Sequence, residues 1–184
     1  MMKNRKLSVI GMAAGLMVLA LSLMAFAVPG EMDFNPAQPV GSPGNGGAQL
    51  YPGTSLSDLE KEALTKAILE EYGAYNLYQS VIDRFGLVAP FTMIAKSEQQ
   101  HINALTRLAD RYGVTVPANP GLVETPVFSS LSDACQAGVA AEIADAELYD
   151  ELRPDVTHAD IQRVFDNLQS ASLNSHLPAF QTCQ

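Results

Sequence analysis

A carboxylate and an imidazole occur three residues apart in the segment SEQQH, at positions 97–101. Residues with this spacing share one face of a helix, so Glu98 and His101 would lie on adjacent turns of the same face. The apolar residues on either side follow a helical period that calls for Leu or Ile at both positions. Because a lone buried carboxylate is costly unless it is paired or bound to a metal, the pair is a candidate for metal ligation.

Similar polar residues interrupt the apolar faces of three other segments with helical spacing. One misassigned surface residue would explain a single case, but four helices with the same feature indicate a shared cause. Bundle cores build metal sites from Glu and Glu-x-x-His on facing helices. The candidate ligands are Glu71 on the first helix, Glu98 and His101 on the second, Glu142 with Asp145 beside it on the third, and His176 on the fourth.

The boundaries of the first two helices follow from capping and stop signals. Ser57-x-x-Glu60 has the form of a capping box, and Gly86 is the expected stop of the first helix. The second helix is predicted to start near Pro90 and to end at Gly113. About four residues join them, so the two helices should form an antiparallel hairpin.

The third and fourth helices form a second predicted hairpin. The third opens near Ser130 or Ser132, and the fourth starts near Thr157, with Asp160 three residues on. Pro178 is expected to kink the last turn of the fourth helix.

The link between the hairpins, roughly 17 residues, could extend to about 55 Å, which exceeds the ~30 Å length of a bundle. No β-like alternating segment of useful length occurs. Two antiparallel hairpins joined by a long crossover therefore predict an all-α, ferritin-like four-helix bundle over residues 55–184.

The motifs also resemble those of a known family. Glu71, followed by the small Ala74 and by Tyr78, resembles the first-helix motif of rubrerythrin-like proteins. Glu98-x-x-His101 is similar to their second-helix motif. On the other hairpin, the spacing of Glu71 and Tyr78 recurs in Glu142 and Tyr149, and His176 resembles the fourth-helix histidine.

The resemblance covers roughly residues 55–182 and implies an exported family within the ferritin-like superfamily. It implies an iron centre, single or di-iron, with manganese or zinc as alternatives, and oxidase, peroxidase or ferroxidase-like activity. The alternative interpretation is a non-catalytic secreted interaction or stress-related bundle with a degenerate metal site.

One position departs from the family pattern. The fourth helix of that superfamily usually carries Glu-x-x-His, but position 173 is Leu. Ser172 and Gln169 are poor replacements for a carboxylate, and Asp145 would fill in only partly. A lopsided di-metal site or a single metal is therefore an alternative to a symmetric pair.

Three tyrosines and the remaining histidine are first interpreted as structural residues. Tyr72, Tyr75 and Tyr78 are interpreted as packing residues, with a hydrogen bond from Tyr78 to a ligand Glu as the alternative. His158, at a helix start, is interpreted as exposed.

The two cysteines are predicted to form a disulfide. Cys135 lies seven residues before Glu142, and Cys183 lies seven residues after His176. Seven residues are two helical turns, about 10.5 Å, and the two helices run in opposite directions, so both sulfurs should reach the same level. Two independent core thiols are the alternative, which an extracytoplasmic location disfavours.

The first 27 residues resemble an export signal. Three basic residues precede an uncharged run from Leu7 to Ala27 that ends in the small-x-small sequence Ala25-Phe26-Ala27. An uncleaved membrane anchor is the alternative. Residues 28–54, with five Pro and six Gly, read as a flexible linker. The chain is therefore predicted to work outside the cytoplasm, at the cell surface, in the periplasm or in the medium.

The net negative charge limits the classes of molecule that the protein is expected to bind. Loss of the three basic residues of the signal changes the formal charge from −9 to −12. Such a surface repels nucleic acid and anionic lipid and mildly concentrates cations. Metal ions are the predicted partners, a membrane only if the signal is retained, and a homodimer is left open.

Overall fold

The computed structural model describes residues 55–183, and within this range all regular secondary structure is helical. The helices are α1 (Asp58–Phe85), α2 (Phe91–Tyr112), α3 (Leu131–Leu152), α4 (Ala159–Ala171) and α5 (Leu177–Gln181). A 3-10 turn at Arg153–Asp155 follows α3, and a π-helical turn at Ser172–His176 joins α4 to α5. The predicted all-α class is confirmed. The predicted signal and linker lie outside the described residues, and none of the described helices has the length and apolarity needed to cross a membrane.

The first hairpin follows the predicted boundaries closely. The Glu60 N–H donates to the Ser57 hydroxyl at 3.2 Å, and the Ser57 N–H donates to the Glu60 carboxylate at 2.8 Å, which completes the predicted capping box. Gly86 ends α1 with φ of 86°, and Gly113 ends α2 with φ of 68°. Both lie in the region that glycine adopts without steric cost, so each stops its helix as the sequence predicts.

The second hairpin differs at the start of its second helix. Ser130 caps α3 as predicted, because its hydroxyl accepts the Asp133 N–H at 3.1 Å. The helix predicted to start near Thr157 begins at Ala159, with His158 as its N-cap, and Thr157 does not cap it. Thr157 instead donates its N–H and its hydroxyl to Glu60 on α1. Thr157 therefore contacts a helix that is distant in the sequence, and it does not act as a local helix cap.

Two apolar clusters fill the bundle, one toward each end. The first cluster contains Leu64, Ile68, Leu105, Ile161 and Phe165 among its buried residues. The second cluster contains Tyr78, Phe91, Phe128, Cys135 and Phe180 among its buried residues.

The long connection between α2 and α3 passes from one cluster to the other. Val114 and Val116 pack against the first cluster, and Phe128 is buried in the second. Between them, the side-chain amides of Asn119 and Asn76 exchange two hydrogen bonds, of 2.7 and 3.1 Å. The connection therefore runs alongside α1 and returns the chain to the end at which α2 began.

The π-helical turn before Pro178 explains how α4 and α5 continue past a proline. Pro178 has no N–H, and in a regular helix its ring would clash with the carbonyl four residues earlier. The Leu177 N–H bonds the Ser172 carbonyl, five residues back, so the turn widens just before the proline. The kink predicted at Pro178 is thus a widened turn. After this turn Phe180 is the buried residue of α5.

The predicted proximity of the two cysteines is confirmed. The Cα atoms of Cys135 and Cys183 are 5.8 Å apart, at disulfide-bonding distance, across 48 residues of sequence. Beside them the Phe180 ring packs on Gly138 so closely that a Cβ atom there would lie 2.6 Å from it. The cross-link would therefore hold the short α5 against the start of α3.

Glu60 fastens the opposite end of the bundle. One carboxylate oxygen, Oε1, accepts the Thr157 N–H at 2.9 Å and the Thr157 hydroxyl at 2.8 Å. It also lies 2.7 Å from Nδ1 of His158, whose side chain is only 15% exposed, so the expected exposure of His158 is wrong. Burial raises the pKa of Glu60, but these hydrogen bonds and the one from Ser57 outweigh it and hold the pKa well below its ordinary value of 4.5.

Replacing both cysteines by Ser is expected to destabilise the bundle by about 2–4 kcal/mol, because a cross-link over 48 residues restricts the unfolded chain. Urea unfolding of the oxidised protein and of the Cys135→Ser, Cys183→Ser variant measures the difference. Reduction of the parent protein should reproduce the variant's stability, whereas equal stability before and after reduction would contradict the cross-link.

Glu60→Gln is expected to cost roughly 1–3 kcal/mol at pH 7, because hydrogen bonds to a buried carboxylate are replaced by weaker and mismatched ones. A depressed folded pKa stabilises the protein above the unfolded value of 4.5, and this stability is lost as the pH falls through the folded pKa. The gap between parent and variant should therefore shrink as the pH falls below about 4.5.

Urea titrations at several pH values measure that gap. Glu62→Gln, an exposed change on the same helix in a surface pair with Lys66, is the control and should show little difference at any pH. A gap that is independent of pH would mean that Glu60 acts through packing and not through its charge.

Candidate metal centre

Four carboxylates and two imidazoles lie between the two apolar clusters, where the four helix faces meet. The structure brings the five principal predicted ligands together and places Asp145 next to them. Each is at most 5% exposed except His101, whose side chain is 13% exposed. The residues are Glu71, Glu98, His101, Glu142, Asp145 and His176.

Three of these residues form a first triad on α1 and α2. Nδ1 of His101 is 2.8 Å from Glu98 Oε2 and 3.2 Å from Glu71 Oε2. One donor atom from each of Glu71, Glu98 and His101 lies within 4.8 Å of the other two. This spacing would allow one ion to contact all three atoms.

A second triad uses the other oxygen of Glu98. Nδ1 of His176 is 3.0 Å from Glu98 Oε1 and 3.3 Å from Glu142 Oε2. Donor atoms of Glu98, Glu142 and His176 again lie within 4.8 Å of one another. Glu98 therefore belongs to both triads and offers one oxygen to each.

Among the described residues, three buried side-chain atoms form no hydrogen bond, and all three belong to this cluster. They are Glu98 Oε1, His176 Nδ1 and Asp145 Oδ1. The first two are 3.0 Å apart but do not meet in hydrogen-bonding geometry, so their contact is electrostatic. Since buried polar side-chain atoms are almost always satisfied, three unsatisfied atoms in one cluster indicate that a partner belongs there.

Two buried tyrosines connect the hairpins at the carboxylates. Tyr78 on α1 donates its hydroxyl to Glu142 on α3 at 2.5 Å, and Tyr149 on α3 donates to Glu71 on α1 at 2.6 Å. The repeated spacing of Glu and Tyr thus produces two crossed bonds. The alternative role for Tyr78, a hydrogen bond to a candidate ligand, is the one observed.

Ser97 was not predicted as part of the site. Its hydroxyl lies 3.3 Å from Nε2 of His101 and 3.1 Å from Nε2 of His176, on the side away from the carboxylates. The two imidazole rings stack at 5.5 Å with an angle of 20° between their planes. Ser97 is four residues before His101, so helical spacing was the signal that could have found it.

The fourth helix presents Ser172 and not Leu173 to the site. In the π-helical turn Ser172 is buried, and Leu173 is 42% exposed. The Ser172 hydroxyl contacts Asp145 Oδ2 and lies 3.2 Å from the Leu168 carbonyl. The absence of a carboxylate at position 173 therefore concerns a side chain that points away from the cluster, and Asp145 lies beside the two triads without belonging to either.

The carboxylates have unequal protonation preferences. Burial raises the pKa of Glu98, but the hydrogen bond with His101 and the nearby His176 and Glu71 outweigh it and lower the pKa to about 2. Burial raises the pKa of Glu71 well above its ordinary value, and the charges of Asp145 and Glu98 raise it further. Burial and nearby carboxylates also raise the pKa of Asp145 to about 7, against the effect of Ser172.

The two histidines compensate this negative charge. Burial lowers the pKa of His101, but Glu71 and Glu98 overcome it and raise the pKa to about 10. His176 responds in the same way to Glu142 and Glu98, and its pKa rises to about 9. Two imidazolium groups therefore offset part of the negative charge of the four carboxylates at pH 7.

The part of the chain that contains the cluster is similar to a known protein family. Residues 60–183, which include every residue of the cluster, match the family described as an uncharacterized protein domain, DUF2202. The chain belongs to the DUF2202 family.

This DUF2202 chain is 28% identical over 144 residues to the uncharacterized protein MJ0754 of Methanocaldococcus jannaschii, a match that spans 70% of the chain and 77% of that protein. It is also similar to the crystal structure of hypothetical protein MJ0754 from Methanococcus jannaschii DSM 2661. That match has a TM-score of 0.61 and 26% identity, and it covers 71% of this chain and 82% of the other. The helical fold is therefore shared with a solved structure.

Tyr78→Phe and Tyr149→Phe are each expected to destabilise the metal-free protein by about 1–3 kcal/mol, because each leaves a buried carboxylate with one donor fewer. Equilibrium unfolding in urea measures the change. Tyr75→Phe is the control, since Tyr75 lies on the same helix and makes no side-chain hydrogen bond within the described residues. Equal effects of all three changes would show that the crossed bonds contribute nothing specific.

Proposed function

We propose that the chain is a ferritin-like metal protein whose central cluster binds two divalent ions. Iron or manganese is the proposed metal, with zinc as the alternative, because mixed carboxylate and imidazole ligands suit these ions. The observation that carries the proposal is the location of the unsatisfied buried atoms: Glu98 Oε1, His176 Nδ1 and Asp145 Oδ1 all belong to the same cluster.

The donor atoms fit two neighbouring ions that share one carboxylate. Glu71 and His101 would hold one ion, Glu142 and His176 would hold the other, and Glu98 would contribute one oxygen to each. Both histidines turn Nδ1 toward the carboxylates and Nε2 toward Ser97. A hydroxyl on the far nitrogen orients a ligand imidazole, as partners in the outer shell of metal sites generally do.

The proposed centre is enclosed in the core of the bundle. Iron or manganese bound there would supply one-electron steps to dioxygen or peroxide, the basis of the proposed oxidase, peroxidase or ferroxidase-like activity. Tyr78 and Tyr149 keep their protons, because burial raises the pKa of both hydroxyls well above the ordinary value of 10.0. They therefore remain hydrogen-bond donors that hold Glu142 and Glu71 in place.

The connectivity of the helices supports the proposed ferritin-like fold. Two antiparallel hairpins are joined by a connection that runs alongside α1 from one apolar cluster to the other. The candidate ligands come from all four main helical segments and meet at mid-length. This is the arrangement in which ferritin-like bundles hold pairs of metal ions.

An extracytoplasmic location is the proposed setting. The pairing distance of Cys135 and Cys183 supports it, because a structural disulfide persists in oxidising compartments.

Metal analysis of the purified full chain tests the proposal. The protein is reconstituted with Fe²⁺ without oxygen, or with Mn²⁺ or Zn²⁺, and freed of unbound ions before elemental analysis. We expect about two ions per chain, and a metal concentration 100 times the Kd should stabilise the fold by about 2.7 kcal/mol. The Glu98→Ala, His101→Ala variant should lose both the metal and the stabilisation.

Asp110→Ala is the matched control, because Asp110 is an exposed carboxylate on the same helix as Glu98. It should retain the full metal content. One ion per chain would reduce the proposal to a single-metal site. No bound metal and an unchanged melting temperature would overturn the proposal and favour the non-catalytic bundle.

A further inference from the structure

Asp145 carries a buried oxygen that the two triads leave unexplained. The residue is 4% exposed, and its Oδ1 atom has no hydrogen-bond partner. Its other oxygen contacts the Ser172 hydroxyl. Asp145 forms no ion pair with any of the described residues, so its charge has no direct partner among them.

The surroundings of Asp145 add negative charge. The carboxylates of Glu98 and Glu142 act on it electrostatically, and Asp145 in turn acts on Glu71. A buried carboxylate among other carboxylates is unfavourable unless a cation or a proton compensates it. The two imidazoles contact Glu71, Glu98 and Glu142, and neither forms an ion pair with Asp145.

Local structure fixes the orientation of Asp145. Because the π-helical turn directs Ser172 inward and leaves Leu173 exposed, the Ser172 hydroxyl can hold Oδ2 and leave Oδ1 free. The equivalent position on α1, three residues after Glu71, is Ala74. The repeated Glu and Tyr spacing of the two hairpins therefore does not require a carboxylate at position 145.

We propose that Asp145 is a further ligand of the metal centre, with Ser172 as its positioning residue. This inference rests on the proposed function. Asp145 on α3 would approach the cluster beside Glu142, on the side where α3 and the π-helical turn meet, and would supply the charge that the α4–α5 segment does not carry. The centre would then use four carboxylates and two imidazoles, from Glu71, Glu98, His101, Glu142, Asp145 and His176.

Titration of the full chain with Mn²⁺ alone tests the inference. Isothermal titration calorimetry counts the ions and measures their affinities, and electron paramagnetic resonance of bound Mn²⁺ reports a change of ligand. Asp145→Asn keeps the size of the side chain and removes its charge. We expect this variant to bind at least one of the two ions about 100-fold more weakly, with an altered Mn²⁺ spectrum.

Ser172→Ala separates ligation from folding, because it keeps the carboxylate and removes the group that orients it. A 10–100-fold weaker affinity is expected, typical of losing a partner in the outer shell of a metal site. Glu147→Gln, at an exposed position on α3, is the matched control and should bind Mn²⁺ as the parent does. Melting curves of the metal-free variants check that each one folds.

The outcomes distinguish the two proposals. If the parent binds two ions and Asp145→Asn binds them with the same affinity and spectrum, Asp145 is a protonated core acid and the inference is wrong while the metal centre stands. If the parent binds neither Mn²⁺ nor the other ions, the proposed function fails and the inference fails with it.

Discussion

Four carboxylates enclosed in the core of a small helical bundle are the costliest feature of this protein. Removing charges from water is unfavourable by several kcal/mol each, so every neighbour must compensate them. The raised pKa values of His101 and His176, the crossed tyrosine hydroxyls and the position of Ser97 are all consequences of that burial. Two of the three unsatisfied atoms, Glu98 Oε1 and His176 Nδ1, lie 3.0 Å apart, and their electrostatic attraction offsets part of that cost.

Stability has to come from elsewhere in the bundle. The two apolar clusters flank the polar centre and bury large side chains such as Phe165 and Phe180 completely. Glu60 holds the turn before α4 at one end, and the paired cysteines hold α5 at the other. Because both ends of the bundle are held together, its centre can keep a charge arrangement that is unfavourable for stability. Proteins often give up stability for function in this way.

Local signals in the sequence were sufficient for the helices and for most of the centre. Ser57, Gly86, Gly113 and Ser130 act within one turn of themselves, so the helix ends that they mark agree with the structure. The set of candidate ligands followed from polar residues at apolar positions, a pattern that helical periodicity makes visible.

What the sequence did not reveal depends on long-range or irregular geometry. The contact of Glu60 with His158 joins residues 98 positions apart, and no local pattern encodes it. The widened turn before Pro178 changes the register, so Leu173 was given an importance that its exposed side chain does not have. Ser97 was overlooked because its spacing from His101 gains meaning only from His176, which lies 79 positions away and turns Nε2 toward the same hydroxyl.

The two triads differ in the order in which the folding chain can assemble them. Glu71, Glu98 and His101 all lie on the first hairpin, whose helices are joined by a short turn. The second triad needs Glu98 to meet Glu142 and His176 across the long crossover, so it forms only after the hairpins dock. The first triad is therefore local to the α1–α2 hairpin. The second triad forms only when the whole bundle has closed.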